Sequence, residues 1–402
     1  MLAALTNPLW AETTDSLANR LAQTEARLAS LEQQNSVEQR IQINGFLRFA
    51  MEQSNDIKDA AGNDLLYRGT VDDDSWNNRR LTRAGLQVNA RISDDAEAVV
   101  QLLSRASEDF NVEAQWAYLA YDVAPSVKLR AGRLVLPFYL HSQYLNVGYA
   151  YPWIELPTEI YGAIPVDTME GLDATWTVNT GPVSHSINVF WGSMQVDIGN
   201  GLLFDINNQH GLNIRSSMGN ISTWAGFTSS QVNLDLSSIF AAIPDPTSYN
   251  LDKAYAHYAS VGIQYDNGSL LMMAETTELK INAPDNWFPT QPASYVMAGY
   301  RFGKVMPHLT WAMVDARGVG KVDDSLPFGI AQSLFDDYAD RQKSWTLGAR
   351  YDVTSGIALK AEATRFYDFD NDRVNTSGTF NGGGAPDKAN PMVFRLAVDA
   401  VF

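Results

Sequence analysis

From Ile41 onward the chain breaks into about sixteen segments of alternating apolar and polar residues, and the gaps between them also alternate. Every second gap is a tight turn, as at Ser93–Asp95, Ala124–Ser126, Gly181–Pro182, Gly219–Asn220, Asp266–Ser269 and Thr354–Gly356. The others are long and polar, roughly 55–78, 137–170, 192–209, 233–254, 282–293, 315–342 and 368–391. A period of two marks strands with one apolar face, and Asn267-Gly268 is the strongest hairpin signal. An even set of strands with short turns at one end and long loops at the other is the layout of a transmembrane barrel. A soluble sandwich has no reason to alternate its connections so strictly.

The last segment carries the argument for a membrane. In Met392–Phe402, Phe394, Leu396, Val398, Ala400 and Phe402 fall on one face, and Val393, Arg395, Ala397, Asp399 and Val401 on the other. A tilted strand of this length crosses the hydrocarbon of a bilayer with its apolar face toward lipid. A sheet edge left open in lipid strands its backbone groups, so the last strand is expected to pair with the first. The same two faces recur elsewhere: Leu172, Ala174, Trp176 and Val178 oppose Asp173, Thr175, Thr177 and Asn179. The second face is too charged for a dry interior, and about sixteen strands enclose a channel too wide for side chains to fill. No apolar run is long enough for a helical span. A net charge of −17 and a pI near 4.6 argue against nucleic acid as a partner. The chain has no cysteine, which excludes disulfides and thiolate metal sites.

Before the strands the period changes. Met1–Ala11 resembles the end of a secretory signal, a short apolar run with Pro8 and then a small residue, so residues 1–11 read as a signal-peptide remnant cleaved after Ala11. Leu17, Leu21, Thr24, Leu28, Leu31 and Asn35 are spaced as a heptad seam. So short a helix gains stability by pairing with copies of itself, and residues 12–40 are expected to form a periplasmic coiled coil. The expected fold is therefore an all-β transmembrane barrel of about sixteen antiparallel strands over 41–402, with a short N-terminal coiled-coil helix.

The stretch Leu136–Glu170 differs from the other long connections. It is rich in proline and aromatics, whereas 368–391 is rich in Gly and Asp. It has enough apolar surface to pack and enough proline to be rigid, so loop 137–170 is expected to fold into the lumen and constrict it. Its runs G-R-L-V-L-P-F (Gly132–Phe138), V-G-Y-A-Y-P-W (Val147–Trp153) and P-T-E-I-Y-G (Pro157–Gly162) resemble those of trimeric Gram-negative outer-membrane porins related to the phosphate-selective porins. The resemblance implies a homotrimer, passive diffusion of small hydrophilic solutes, an inward-folded third loop and a C-terminal Phe402 of the kind read by outer-membrane assembly machinery. It also implies outer-membrane lipid and lipopolysaccharide as surroundings. The lysines of phosphate-selective eyelets are missing, since no Lys lies between Lys128 and Lys253.

Arginine stays charged and forks to anions. Arg48, Arg83, Arg91, Arg130 and Arg133 cluster in the first five strands, and alternation turns Arg48, Arg83 and Arg91 inward. Arg130 and Arg133 cannot both face the lumen without a bulge. Facing them, the long loop offers Glu155, Glu159, Asp167 and Glu170, and basic wall against acidic loop predicts a transverse field for small anions. Asp368, Asp370 and Asp372 are spaced like a calcium loop but lack its Gly and Glu, which leaves a weak calcium candidate and no other metal or cofactor. Two other functions remain open in the residues: a plugged structural or adhesin-type barrel, and an outer-membrane hydrolase using His141-Ser142 or His185-Ser186. In the second, neighbouring residues on a strand point apart, and no enzyme is expected.

Overall fold

A computed structural model describes residues 40–59, 62–164, 167–197, 202–238, 241, 245–284, 288–317, 341–371, 374–375, 378–381 and 391–402. The expected signal remnant, and the expected coiled coil as far as residue 39, lie outside these residues. Sixteen antiparallel strands close into one barrel. They are β1 (Ile41–Ser54), β2 (Arg83–Arg91), β3 (Ala96–Arg105), β4 (Val112–Ala124), β5 (Val127–Val135), β6 (Thr168–Thr180), β7 (Val183–Asp197) and β8 (Leu203–Met218). The ring continues with β9 (Ile221–Leu234), β10 (Leu251–Asp266), β11 (Leu270–Ile281), β12 (Gln291–Tyr300), β13 (Val305–Asp315), β14 (Arg341–Thr354), β15 (Ile357–Tyr367) and β16 (Met392–Val401). Each strand pairs with its neighbours in sequence, and β1 closes on β16 from Phe46↔Val401 to Ser54↔Val393. Closure leaves no unpaired edge, which is what a sheet in lipid requires.

The faces follow the alternation. Phe394, Leu396 and Val398 are exposed on the outer wall, while Val393, Arg395, Ala397 and Asp399 are buried inside. Leu47, Leu119, Leu172, Trp191, Phe227 and Leu347 continue the exposed apolar exterior around the ring. Strand limits differ from the sequence reading chiefly at β6, β7 and β8, which run on at their loop ends past the stretch of clean alternation. Polar outer residues such as Glu170, and a bulge on β8 where Asn208 takes a φ of 48°, hide the pattern while the pairing continues.

Of the three buried apolar clusters among the described residues, two are large. The larger joins the loop after β5, residues 136–167, to the wall: Leu136, Phe138, Tyr151, Trp153 and Ile160 pack with Met194, Tyr258, Met273, Tyr295 and Met297. The smaller joins the loops after β1 and β15, where Tyr67 and Phe380 pair in a two-stranded patch above Phe366 and Val393.

Candidate functional site

The loop 136–167 leaves β5 and hydrogen-bonds to opposite walls of the ring, so it lies in the lumen. Most of its backbone has no strand partner, and buried carbonyls and amides must find one elsewhere. The wall supplies them. Lys360 on β15 donates to the carbonyls of Gly148 (2.7 Å), Tyr151 (2.7 Å) and Trp153 (2.9 Å), and also pairs with Asp399 at 2.9 Å. Arg48 on β1 forks onto Asp399 at 2.6 and 2.9 Å and donates to the carbonyl of Ile154. Glu362 accepts from the amide of Ile154 at 2.7 Å. On the far wall, Glu275 accepts from the Leu140 amide (2.8 Å) and the Tyr161 hydroxyl (2.6 Å), and Arg215 donates to the Leu140 carbonyl at 2.8 Å. The indole of Trp153 donates to Thr310 at 2.8 Å.

Gly148 is required where it stands. A Cβ there would come within 2.1 Å of an Arg48 nitrogen and 2.3 Å of an Asp399 oxygen, so a side chain would lift the loop off this ion pair. Below it the loop reaches the turn end of the barrel, where the Gly356 amide donates to the Tyr149 hydroxyl at 3.2 Å.

These contacts revise the expected eyelet. Arg48 does face inward, but it is fully buried and committed to Asp399 and the loop. Glu155 does not oppose a basic wall across open water: Arg80 and Arg395 pair with it at 2.6 and 2.7 Å, and the Tyr67 hydroxyl donates to it at 2.9 Å. Burial pushes its carboxyl up, but the two guanidiniums more than offset that and hold it well below the usual range. Glu159 is buried, accepts from Gln342 at 2.9 Å, and is pushed up by burial. Asp167 remains at the loop's end, accepting from Asn146 at 3.2 Å.

Arg133 and Glu170 are corrections. β5 turns Arg130 inward onto Asp173 and Arg133 outward, where it pairs with Glu170 at 2.8 Å on the outer face. Because β5 carries no bulge between Arg130 and Arg133, the two must take opposite faces. Arg91 shares the face of Arg83 but sits exposed at the turn end opposite Glu97, away from the constriction. Asp368 pairs with Lys343 at 2.6 Å, which holds its carboxyl low and occupies the calcium candidate; the side chains of Asp370 and Asp372 lie outside the described set. His141 stands beside the hydroxyl of Tyr144 at 2.8 Å, while the Ser142 hydroxyl accepts from the Tyr139 amide, so the two do not form a nucleophile and base. His185 meets Ser216 across the strand pair rather than Ser186.

Arg83 stands opposite Arg48 on β1 and opposite Arg105 on β3, so three guanidiniums share one level on adjacent strands. Arg83 donates to Asn146 of the loop at 2.9 Å and has no carboxylate partner among the described residues. Arg105 was not singled out from sequence, nor were Arg80, Arg215, Lys360 and Arg395. Strand periodicity marks all but Arg80, which lies in the loop before β2, as inward, but only cross-strand register and the loop path give them roles.

The lumen is therefore asymmetric. Inner-wall charges on β1, β15 and β16 are buried under the loop, whereas Arg105, Lys128 and Arg130 on β3 and β5 keep 22%, 41% and 17% of their side chains exposed. Between the loop and β4–β9 lies a cavity of about 430 Å³, with Arg130, Arg215, Asn188, Asn213, Thr175 and Tyr139 among its walls.

No family model and no curated protein matches the chain. Solved structures do share the fold. An anion-selective porin from Comamonas acidovorans is 12% identical, with 90% of this chain and 99% of that one covered at a TM-score of 0.58. The outer-membrane channel DcaP of Acinetobacter baumannii is 14% identical over 90% and 97%, at 0.56. Salmonella typhi OmpF, solved with daunomycin, is 12% identical over 90% and 97%, at 0.57. At these identities the likeness concerns the barrel.

Proposed function

We propose that the chain is a Gram-negative outer-membrane porin through which small hydrophilic solutes, small anions among them, diffuse passively. The observation that carries this reading is the asymmetric lumen. A loop whose hydrogen bonds fall mainly on β10–β16 and β1, with single bonds from Arg83 on β2 and Arg215 on β8, leaves a polar, partly exposed wall on β2–β9, where Arg83 forms no ion pair among the described residues. The exposed apolar exterior and the fold shared with outer-membrane porins and channels support the location. The reading extends to a homotrimer surrounded by lipid and lipopolysaccharide, to residues 1–11 as a signal remnant, and to residues 12–40 as a helix in the periplasm.

A second reading, a plugged structural barrel, is favoured by one observation: the loop spans the lumen down to the Gly356 turn. Planar-bilayer recording of the purified protein separates the two. Stepwise single-channel current, with swelling of liposomes in small neutral and anionic solutes, is expected of the porin. Silence in both assays would leave the plugged barrel.

A further inference from the structure

The cavity between the loop and β4–β9 is more than a widening of the passage. Arg215 on β8 uses one donor on the Leu140 carbonyl, lies over the ring of Trp224 at 5.1 Å, and forms no ion pair among the described residues, with Glu275 acting on it only through space. Trp224 is itself fixed, since its indole donates to Ser260 at 2.9 Å and Ser260 donates to the Phe138 carbonyl at 2.7 Å. On the other flank Arg130 forks onto the buried Asp173 and lies over Tyr118 at 5.3 Å. A guanidinium stacked on a ring is held in place with its edge free for an anion.

The rest of the lining is hydrogen-bonding. Asn213 donates to Asn188 at 3.0 Å and Asn188 donates to Thr175 at 2.9 Å, with Thr177 and Ser186 beside them. Trp224 and Tyr139 are 5% and 3% exposed, so their ring faces are already covered and offer little to a flat apolar solute. The volume falls within the roughly 300–1,000 Å³ of small-molecule sites. Glu97 and Asp122, which also line the cavity, are engaged by Lys128.

We propose that this cavity is a saturable binding site for small hydroxylated carboxylates. The carboxylate meets the edge of Arg215, and the hydroxyls meet Thr175, Thr177, Ser186 and Asn213. The proposal rests on the porin reading for its access but not for its chemistry, so binding and conduction are measured separately.

Gluconate is titrated into the full-length protein in detergent by calorimetry, with glucose, acetate and benzoate as controls. Gluconate is expected to saturate, and glucose, its neutral counterpart, is not. Arg215→Ala is expected to weaken gluconate by about tenfold or more, as loss of a charge-assisted hydrogen bond does. Arg215→Gln keeps a donor for Leu140 and shows whether the effect comes from the charge or from an unseated loop: weakening in both variants supports the site. Thr175→Val is expected to weaken gluconate and leave acetate unchanged. Equal binding of glucose and gluconate, benzoate binding tighter than gluconate, or wild-type affinity in Arg215→Gln would overturn the proposal. Stepwise potassium chloride current without gluconate saturation overturns the site and leaves the pore; gluconate saturation without current does the reverse.

Discussion

At the scale of single residues, the loop is held by charges that alternation alone would have assigned to solute. Lys360, Arg48 and Asp399 form a buried trio whose remaining donors are spent on loop carbonyls. Burying three charges is costly, and the arrangement holds because each is paired and hydrogen-bonded. Removing one member leaves the others uncompensated, a loss of about 3–5 kcal/mol for a buried pair. Lys360→Met keeps the stem and deletes the ammonium. It is expected to release Gly148–Trp153 from the wall, raise single-channel conductance and add open-channel noise. Unchanged conductance and noise in a folded Lys360→Met barrel would show that the ammonium does not hold the loop.

At the scale of the element, the loop behaves as a small folded unit inside a larger one. Its aromatic face packs on the wall, and His141 within that face stacks on Tyr161 and meets Trp153 edge-on. Burial lowers His141 from an ordinary 6.5 to about 3. Between those values the unfolded chain takes up a proton that the folded one refuses, so stability falls as pH drops from 6.5 toward 3. Glu155 acts in the same direction below its ordinary 4.5, because its folded carboxyl is held low by the two arginines. Glu159, raised by burial, acts in the opposite sense and loses its contribution as pH rises through its folded value. The temperature at which the barrel loses its heat-modifiable mobility is thus expected to fall on acidification, and His141→Gln to make the slope between pH 6.5 and 4.5 shallower. An identical slope in the variant would remove His141 from the account. That the loop turns inward was legible in its prolines and aromatics. How it is fastened was not, because Glu155 is met by Arg80 from the first long loop and by Arg395 from the last strand, residues that no local pattern connects.

At the scale of the whole molecule, strand number, closure and the two faces were legible because each is a period-two property repeated sixteen times. Register was not, since one residue of slip leaves composition unchanged and reverses every side chain. On the proposed reading, the difference decides which arginines would meet solute. Arg83 and Arg133 look alike in sequence, yet Arg83 stands in a row with Arg48 and Arg105 inside the ring, and Arg133 lies on the outer face beside Glu170. The overall charge of −17 repels anions at a distance, but that field is screened within about 10 Å at 0.1 M salt, so under the proposed reading a guanidinium in the passage would govern selectivity locally. In a potassium chloride gradient, Arg83→Ala is expected to move the reversal potential toward the cation limit, and the move should shrink as salt is raised. Arg133→Ala is expected to leave it unchanged at every salt, because the closed wall separates that side chain from the lumen. Equal shifts in the two variants would mean that charge reaches the permeating ion without regard to the wall, and the placement of the passage along β2–β9 would be wrong.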